Sequence, residues 1–547
     1  DVTKALLVVK GQDLKSIDMK AAENGSNKKW SADVTFDKYG QYTYFFALYY
    51  GSYVQIYCDD DGYYGTGHLT NLSELKAYDL VVYKSGYKTP DWMKNSVIYQ
   101  IFPDRFFNGD KSNDQAQTTS RGATDYEYIT KWYSYPENPS QEELHPDEYP
   151  ENACKGDGNW NNEIYGGDLK GIVDRIDYLK ALGVNVIYLN PVFSSISSHR
   201  YDATDYRKID PILGDLGDFS ELVKAAENNG MHIVLDGVFN HVSDDSIYFD
   251  RYYKFVGQDG KVGAYPYWAY VYDCMSEKGV TQEQAIADAK AYFKSKGVTD
   301  FSYTEWFKIE NKFMTDDKGV EVKDTIGDRI GKSVYTYEGW WGYDSMPVIM
   351  STNGSEYQTG NWAKEIIDGS GCVTQYWLSE GSNGWRLDVA NEVSDETWQH
   401  FRKSVKGLDS DAVIIGEIWD DATEYILGDM YDSVMNYVFR NAVLDYAKGG
   451  SAKDSVRTLE KIRERYPKEA FYAMMNLVGS HDTTRLLSFL DGINDDRQQT
   501  DIDSAFPTYE KTSLQAKQRQ YLVALIQMTY PGAPTIYYGD ELGMVGA

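Results

Sequence analysis

Six chemistry-bearing residues interrupt or end strands that otherwise read as apolar. Asp236 closes "HIVLDG", Arg386 and Asp388 lie in "GWRLDV", Glu417 lies in "AVIIGEIW", and His481 and Asp482 follow "MMNLVGS". A buried charge costs several kcal/mol unless it is paired or used. Several acids gathered with an arginine and a histidine around a neutral substrate are the equipment for glycoside hydrolysis. One carboxylate attacks the anomeric carbon and a second, protonated, hands its proton to the departing oxygen; with retention the two lie roughly 5 to 5.5 Å apart. The acid needs a pocket that raises its pKa, whereas the nucleophile must stay ionised. Arg386, two residues from Asp388 on the same strand face, is expected to keep Asp388 ionised. Glu417 has no such neighbour in sequence, so Asp388 is the expected nucleophile and Glu417 the expected acid.

For these groups to meet, the strands must deliver them to one place. From about residue 97, short apolar strands alternate with helical stretches: "VIYQIF", "VNVIYLNP", "HIVLDGVFNH", "GWRLDV", "AVIIGEIW", "SVMNYVF", "FYAMMNLVGSHD" and "APTIYYGD". The first helix, "DLKGIVDRIDYLKALG" (168 to 183), carries Leu169, Ile172, Ile176 and Leu179 at helical spacing and stops on Gly183. Eight such strands predict an α/β fold, a (β/α)8 TIM barrel, in which the carboxyl ends of all strands face one cleft. Residues 1–90 read instead as short strands punctuated by Gly and Asp, predicting an N-terminal β-sandwich. The barrel is then assigned to 91–241 and 373–547, with 242–372 as a subdomain inserted after the third strand. That insert contains its own helical piece, "TQEQAIADAKAYFKSKG".

The balance of charge narrows the partners. A formal charge of −30 over 547 residues excludes nucleic acid and anionic membrane surfaces, which require a basic face. No apolar run is long enough to span a bilayer. Aromatic residues make up 15% of the chain, with 48 Tyr and 13 Trp, and many lie among polar neighbours. Ordinary β packing accounts for such usage, and so do flat surfaces for sugar rings. Cys58, Cys154, Cys274 and Cys372 form no CxxC pair, which argues against a zinc or dithiol site.

Four segments, "DGVFNHV" (236 to 242), "GWRLDVANEV" (384 to 393), "GEIWDDA" (416 to 422) and "VGSHDTTR" (478 to 485), resemble in order the signature segments of the α-amylase family of glycoside hydrolases. The resemblance implies Asp388 as nucleophile, Glu417 as acid and base, and Asp482 as a third carboxylate that holds sugar hydroxyls. It implies Arg386, Asp236, His241 and His481 as supports around the cleaved sugar, with Asn240 as structural support. "SSHRYDATDY" (197 to 206) resembles the family's segment after the second strand, so His199 would bond that sugar and Tyr201 would stack beneath it. "ANEV", "EGWWGYDSMPVIM" and "GDGNWNNEIYGGDLKGI" resemble the neopullulanase, cyclomaltodextrinase and amylopullulanase branch, whose members cut α-1,4 bonds, α-1,6 bonds or both. Asn391 and Glu392 are placed by that likeness among the substrate-binding residues. Where the branch commonly has Met-Pro-Lys-Leu, this chain has Met346, Pro347, Val348 and Ile349.

"DRFFNGDKSNDQ" (104 to 115) gathers oxygen-bearing side chains suited to a hard cation. It resembles the family's calcium loop, implying structural Ca2+ at Asn108, Asp110, Asn113 and Asp114, closed by Gly166 and Asp168. The same residues could instead form a turn that binds nothing. The family continues beyond the position of Ala547 through an eighth helix and a C-terminal β-domain, so apolar surface near the last strand is expected to be exposed. The expected activity is a retaining, endo-acting α-glucan hydrolase on starch, maltodextrin or pullulan, secreted because its substrate is a polymer. The alternatives are an α-glucan transglycosylase, or a non-catalytic glucan-binding barrel.

Overall fold

The computed structural model describes residues 2–24, 27–60, 65–116, 127–128, 132, 163–325, 327, 329–349, 360–494 and 508–546. Cys154 lies outside them; Cys58, Cys274 and Cys372 are buried thiols. Eight parallel strands make the central sheet: β1 (Ile98–Ile101), β2 (Val186–Leu189), β3 (His232–Gly237), β4 (Gly384–Leu387), β5 (Val413–Gly416), β6 (Ser433–Val434), β7 (Met475–Leu477) and β8 (Ala533–Tyr537). Pairing runs from β6 back through β5, β4, β3, β2 and β1 to β8 and β7. A parallel bridge between Met435 and Met475 joins β6 to β7 and closes the barrel.

The strands are apolar on both faces because both are covered. Ile98, Val186, Tyr188, Val234, Val413, Ile415, Met475 and Leu477 cluster inside the barrel, while Tyr99, Ile187, Ile233, Trp385, Leu387 and Ile414 join the larger core beneath the helices. Arg386 lies between Trp385 and Leu387, so the alternation of a strand turns it inward. Register then sets its neighbours: Arg386 is level with Asp236 on β3 and Ile415 on β5.

The outer helices start where short polar side chains can cap them. Asp215 and Asp218 form a capping box for Leu216–Asn228, which buries Phe219, Leu222, Val223 and Ala226. Ser394 caps Asp395–Leu408, which buries Trp398, Phe401 and Val405. The helix expected over 168–183 is divided at Arg175 into Leu169–Asp174 and Ile176–Ala181, and Gly183 ends it at φ +80°. The sixth strand is much shorter than "SVMNYVF" predicts. The Asn436 side chain accepts from the Phe439 N–H and starts the helix Tyr437–Ala447 there.

Residues 242–372 supply helices Ala264–Lys278, Gln282–Ser295 and Asn361–Ile366, together with two hairpins. The second hairpin, Gly339–Trp340 with Tyr343–Pro347, folds back to the mouth of the barrel. Val242 N donates to Pro347 O at 3.2 Å and Asp244 N to Ser345 O at 3.0 Å.

The N-terminal β-domain is an antiparallel sheet of six strands plus the hairpin Lys20–Asn24 with Asn27–Ser31. It rests on the barrel through Lys84 N to Leu427 O at 2.8 Å and the Arg465–Asp79 ion pair at 2.8 Å. Near the last strand, Tyr521, Leu525 and Met528 of helix Leu514–Thr529 are exposed, as are Leu542 and Met544. No helix among the described residues is long and apolar enough to cross a membrane.

Candidate active site

At the mouth of the barrel one guanidinium organises three acids. Arg386, fully buried, places Nη1 2.9 Å from Asp236 Oδ1 and 2.8 Å from Asp388 Oδ1. Its Nη2 lies 2.9 Å from Glu417 Oε2, an ionic contact outside hydrogen-bond alignment. Asp236 is fixed from the other side as well: the Tyr188 and Tyr201 hydroxyls donate to its Oδ2 at 2.6 and 3.0 Å. Glu417 receives the Val389 N–H at 2.7 Å and the Trp419 indole N–H at 3.2 Å. Val389 has φ +39°, a left-handed conformation that is costly for a β-branched residue and turns its N–H toward Glu417.

A second chain of hydrogen bonds holds His481. Gln100 Nε2 lies 3.0 Å from its Nδ1, and the Tyr201 hydroxyl lies 2.6 Å from its Nε2. With Gln100 donating, Nε2 carries the ring proton toward Tyr201, whose own hydroxyl proton goes to Asp236. Tyr201 and His481 also stack, centroids 5.2 Å apart and planes 6° from parallel. Asn190 donates to the Tyr201 hydroxyl at 2.9 Å. Burial, reinforced by Arg386, pushes the His481 imidazole down to about 4, so the ring is neutral at pH 7. His241 is likewise held at about 4 by burial.

The electrostatics run against the expectation that Arg386 keeps Asp388 ionised while Glu417 holds the raised pKa. Burial raises the Glu417 carboxyl, but Arg386, the Val389 N–H, His481 and the Trp419 N–H outweigh it and hold Glu417 below the usual range. Asp388 is held well above its usual value by burial and then by repulsion from Glu417 and Asp236, which exceed the pull of Arg386. Asp482, with 36% of its side chain open to the cleft, is pushed up to about 7 by burial and then by Glu417. Three carboxyls against one guanidinium, with Asp482 nearby, exceed what a single positive charge neutralises. The acids therefore compete for protons, and the protonation of each depends on that of the others.

The predicted substrate-side residues surround this cluster. His199 Nδ1 accepts from Tyr201 N at 3.0 Å. His241 stacks on Trp340, centroids 5.0 Å apart. Glu392 accepts from both Trp340 and Trp341, while Asn391 is exposed beside it. Sequence reasoning missed Gln100, Tyr188 and Asn190. The signal that could have found Gln100 and Tyr188 is a polar-tipped side chain at an inward position of an otherwise apolar strand. Sequence reasoning also missed Trp419, which immediate proximity to Glu417 could have flagged.

The candidate cation loop is assembled only in part by side-chain charge. Asp168 is consumed by the protein: its Oδ1 accepts from the Gly109 and Gly171 N–H groups and its Oδ2 from Asp110 N and Asn113 Nδ2. The Asp110 carboxylate turns to the backbone and hydroxyl of Ser112 at an exposed edge. Asn108 and Asp114 are joined at 2.6 Å next to Gly166, where an added Cβ would come within 2.7 Å of both. The amide oxygens of Asn108 and Asn113 are buried without a hydrogen-bond donor. Among the described residues no three His, Cys, Asp or Glu side chains are gathered for a metal, so any ion here relies on amide and carbonyl oxygens, a set that suits Ca2+.

A family model described as "Alpha amylase, catalytic domain" matches residues 100–547. Similar curated proteins include an amylopullulanase of Thermoanaerobacter thermohydrosulfuricus, 41% identical over 96% of this chain and 32% of its own length. Neopullulanase 2 of Thermoactinomyces vulgaris is 34% identical over 84% of this chain and 58% of its own length. The chain spans between 26% and 37% of the length of the three amylopullulanases it matches. Among solved structures, the type III pullulan hydrolase from Thermococcus kodakarensis aligns over all of this chain and 77% of its own, with a TM-score of 0.58 and 26% identity. With the barrel and a family-model match over most of its length, the chain belongs to the α-amylase family.

Proposed function

We propose that this protein hydrolyses α-1,4 and α-1,6 glucosidic bonds of pullulan, starch or maltodextrin with retention at the anomeric carbon. The observation that carries this reading is Asp388 and Glu417 held on the two terminal nitrogens of one guanidinium, a close spacing suited to a retaining pair. Asp388 attacks the anomeric carbon while Glu417 protonates the glycosidic oxygen, and the bond to the leaving sugar breaks. Glu417, now a carboxylate, takes a proton from water as that water displaces Asp388. Before attack, Glu417 must be protonated. Sugar hydroxyls donating to Asp388 and Asp482 favour the ionised forms of both and leave the proton to Glu417. Neutral His481, neutral His241, His199 and Asp482 bond the hydroxyls of the cleaved ring, and Tyr201 lies beneath it.

The test is product analysis on pullulan, with the configuration of the first-formed reducing end followed by NMR. An α product is expected, with panose reporting α-1,4 cleavage and maltotriose α-1,6 cleavage. No product from either pullulan or soluble starch overturns the reading.

A structural Ca2+ would be held by Asn108, Asn113, Asp114 and the Gly166 segment, with Asp110 and Asp168 shaping the loop. Bound there it supplies stability and takes no part in bond cleavage. Removing it with EGTA should lower the thermal midpoint and restoring Ca2+, but not Mg2+, should return it. A midpoint indifferent to Ca2+ sinks that assignment. The site of action is proposed to be extracellular, since a glucan polymer does not pass a membrane intact.

A further inference from the structure

Strand β5 ends at Gly416 and β6 begins at Ser433, so the connection between them starts with Glu417 itself. At several points that connection is seated against the N-terminal β-domain. Lys84 N donates to Leu427 O at 2.8 Å, and the Tyr39 hydroxyl donates to Asp429 Oδ2 at 2.8 Å. Gly428, at φ +105°, lies so close to the β-domain that an added Cβ would stand 2.9 Å from the Tyr87 ring. The end nearest the acid is held by a bridge. Arg465, the last residue of helix Ala452–Arg465, donates from Nε to Asp79 Oδ2 at 2.8 Å and from Nη1 to Asp421 Oδ2. Asp79 belongs to the β-domain strand Tyr78–Val82, and Asp421 to the connection. The other oxygen of Asp421 accepts from the Thr423 N–H at 3.0 Å, and Ala422 N donates to the Tyr466 hydroxyl at 3.2 Å.

Stability alone does not account for the bridge. The side chains of Arg465, Asp79 and Asp421 are 26%, 24% and 41% exposed, and ion pairs this open to water add little to stability. What the bridge fixes is place. One planar guanidinium joins the β-domain, an outer helix and the connection, four residues past Glu417. Between Asp421 and the acid, Trp419 stacks on Tyr437 at 3.7 Å and donates to Glu417 at 3.2 Å, so a displacement at Asp421 reaches the carboxyl through a short tethered segment. We infer that Arg465, anchored on Asp79, is a positioning residue that braces the acid against the N-terminal β-domain. That domain then belongs to the apparatus of proton transfer, although it stands outside the barrel. The inference rests on the reading of Glu417 as the acid that protonates the leaving oxygen.

The test compares two leaving groups on the full chain. Cleavage of pullulan needs a proton on the departing sugar oxygen, whereas α-maltosyl fluoride loses fluoride ion, which leaves without one. For both substrates kcat/KM reports the steps through that bond cleavage. Arg465→Met should lower kcat/KM on pullulan about tenfold and on α-maltosyl fluoride less than about twofold, as expected of a displaced acid. Asp79→Asn, altered only on the β-domain side, should give a smaller loss with the same selectivity, and Arg465→Lys should recover part of the loss. Glu417→Gln supplies the reference and should lose far more on pullulan than on the fluoride. If Glu417→Gln discriminates while the Arg465 and Asp79 variants slow both substrates equally, or slow neither, the brace is overturned and the acid stands. If Glu417→Gln does not discriminate, or the unaltered enzyme turns over neither substrate, the reading of Glu417 falls and the brace falls with it.

Discussion

The two ends of the barrel interior are built on opposite principles. Toward the amino ends of the strands the inward side chains are Ile98, Val186, Val234, Val413 and Met475, a dry apolar layer with Met93 beneath it. Toward the carboxyl ends the same inward register carries Gln100, Tyr188, Asp236 and Arg386, followed by Asp388 and Glu417 just past the strands. The lower layer is stabilised mainly by transfer from water and close contact, with His232 stacked on Trp92 at its edge. The upper layer holds desolvated charges whose mutual repulsion is only partly offset by Arg386. Stability is concentrated at one end of a single cylinder, and reactivity at the other.

The largest effect that separates the two ends is on rate. Asp388→Asn should lower kcat on pullulan on the order of 10⁴-fold or more, because a nucleophile and not a contact is lost. Activity within tenfold of the parent enzyme would remove Asp388 from the reaction.

Stability sharpens the contrast. Arg386→Met should cost ~3–5 kcal/mol at pH 7 by leaving buried carboxylates uncompensated. Met475→Ala should cost ~2–5 kcal/mol through the cavity it leaves. Denaturant titrations at several pH values tell the two mechanisms apart. The Arg386 cost should shrink as pH falls toward the unfolded-state carboxylate values, because the orphaned acids take up protons; the Met475 cost should not. Parallel pH dependence for both variants would break the distinction.

The same logic gives Asp388→Asn a second, smaller signature. The folded-state value of Asp388 lies well above 3.8, so the native protein binds that proton more tightly than the unfolded chain does. Asp388 therefore destabilises the fold progressively as pH rises from about 4 through the raised value, a penalty that is absent below the unfolded value. The Asn variant should melt about 2 °C higher than the parent at pH 8 and together with it at pH 4. A lower midpoint at pH 8 would mean that Arg386 more than compensates Asp388.

Smallest is the effect of Trp419→Phe. Losing the indole N–H that donates to the carboxylate should raise Glu417, moving the basic limb of the kcat/KM profile upward by about half a pH unit. The stack of Trp419 on Tyr437, at 3.7 Å, should be kept by the phenyl ring. An unmoved limb would make that hydrogen bond irrelevant to proton transfer.

Much of this arrangement was legible in the chain. Period-two alternation put Arg386 inside, and apolar strands alternating with helices required a barrel whose mouth collects strand-end residues. What stayed hidden depends on contacts between segments. Glu417 appears alone in sequence, yet register brings β5 beside β4 and makes Arg386 common to both acids, which reversed the expected pKa order. Glu392 reads as one acid on a turn until the hairpin from the inserted subdomain folds back and places two indoles on it. The shortness of β6 was hidden for a local reason: Asn436 is a strong helix cap inside a run whose apolar residues also suit a strand.

That short strand has a consequence for motion. Where other neighbouring strands share longer ladders, β6 and β7 meet at the Met435–Met475 bridge, supported by Asn436 N to Met475 O at 2.9 Å. The cylinder has a seam, and the seam runs between the segment that continues into Tyr437 and the one that leads to His481 and Asp482. Breathing along it would part the His481–Asp482 segment from the segments carrying Asp388 and Glu417. Amide exchange should be faster at Met435 and Met475 than along β3 and β4, and a ligand spanning the mouth should slow it by tying the two edges together.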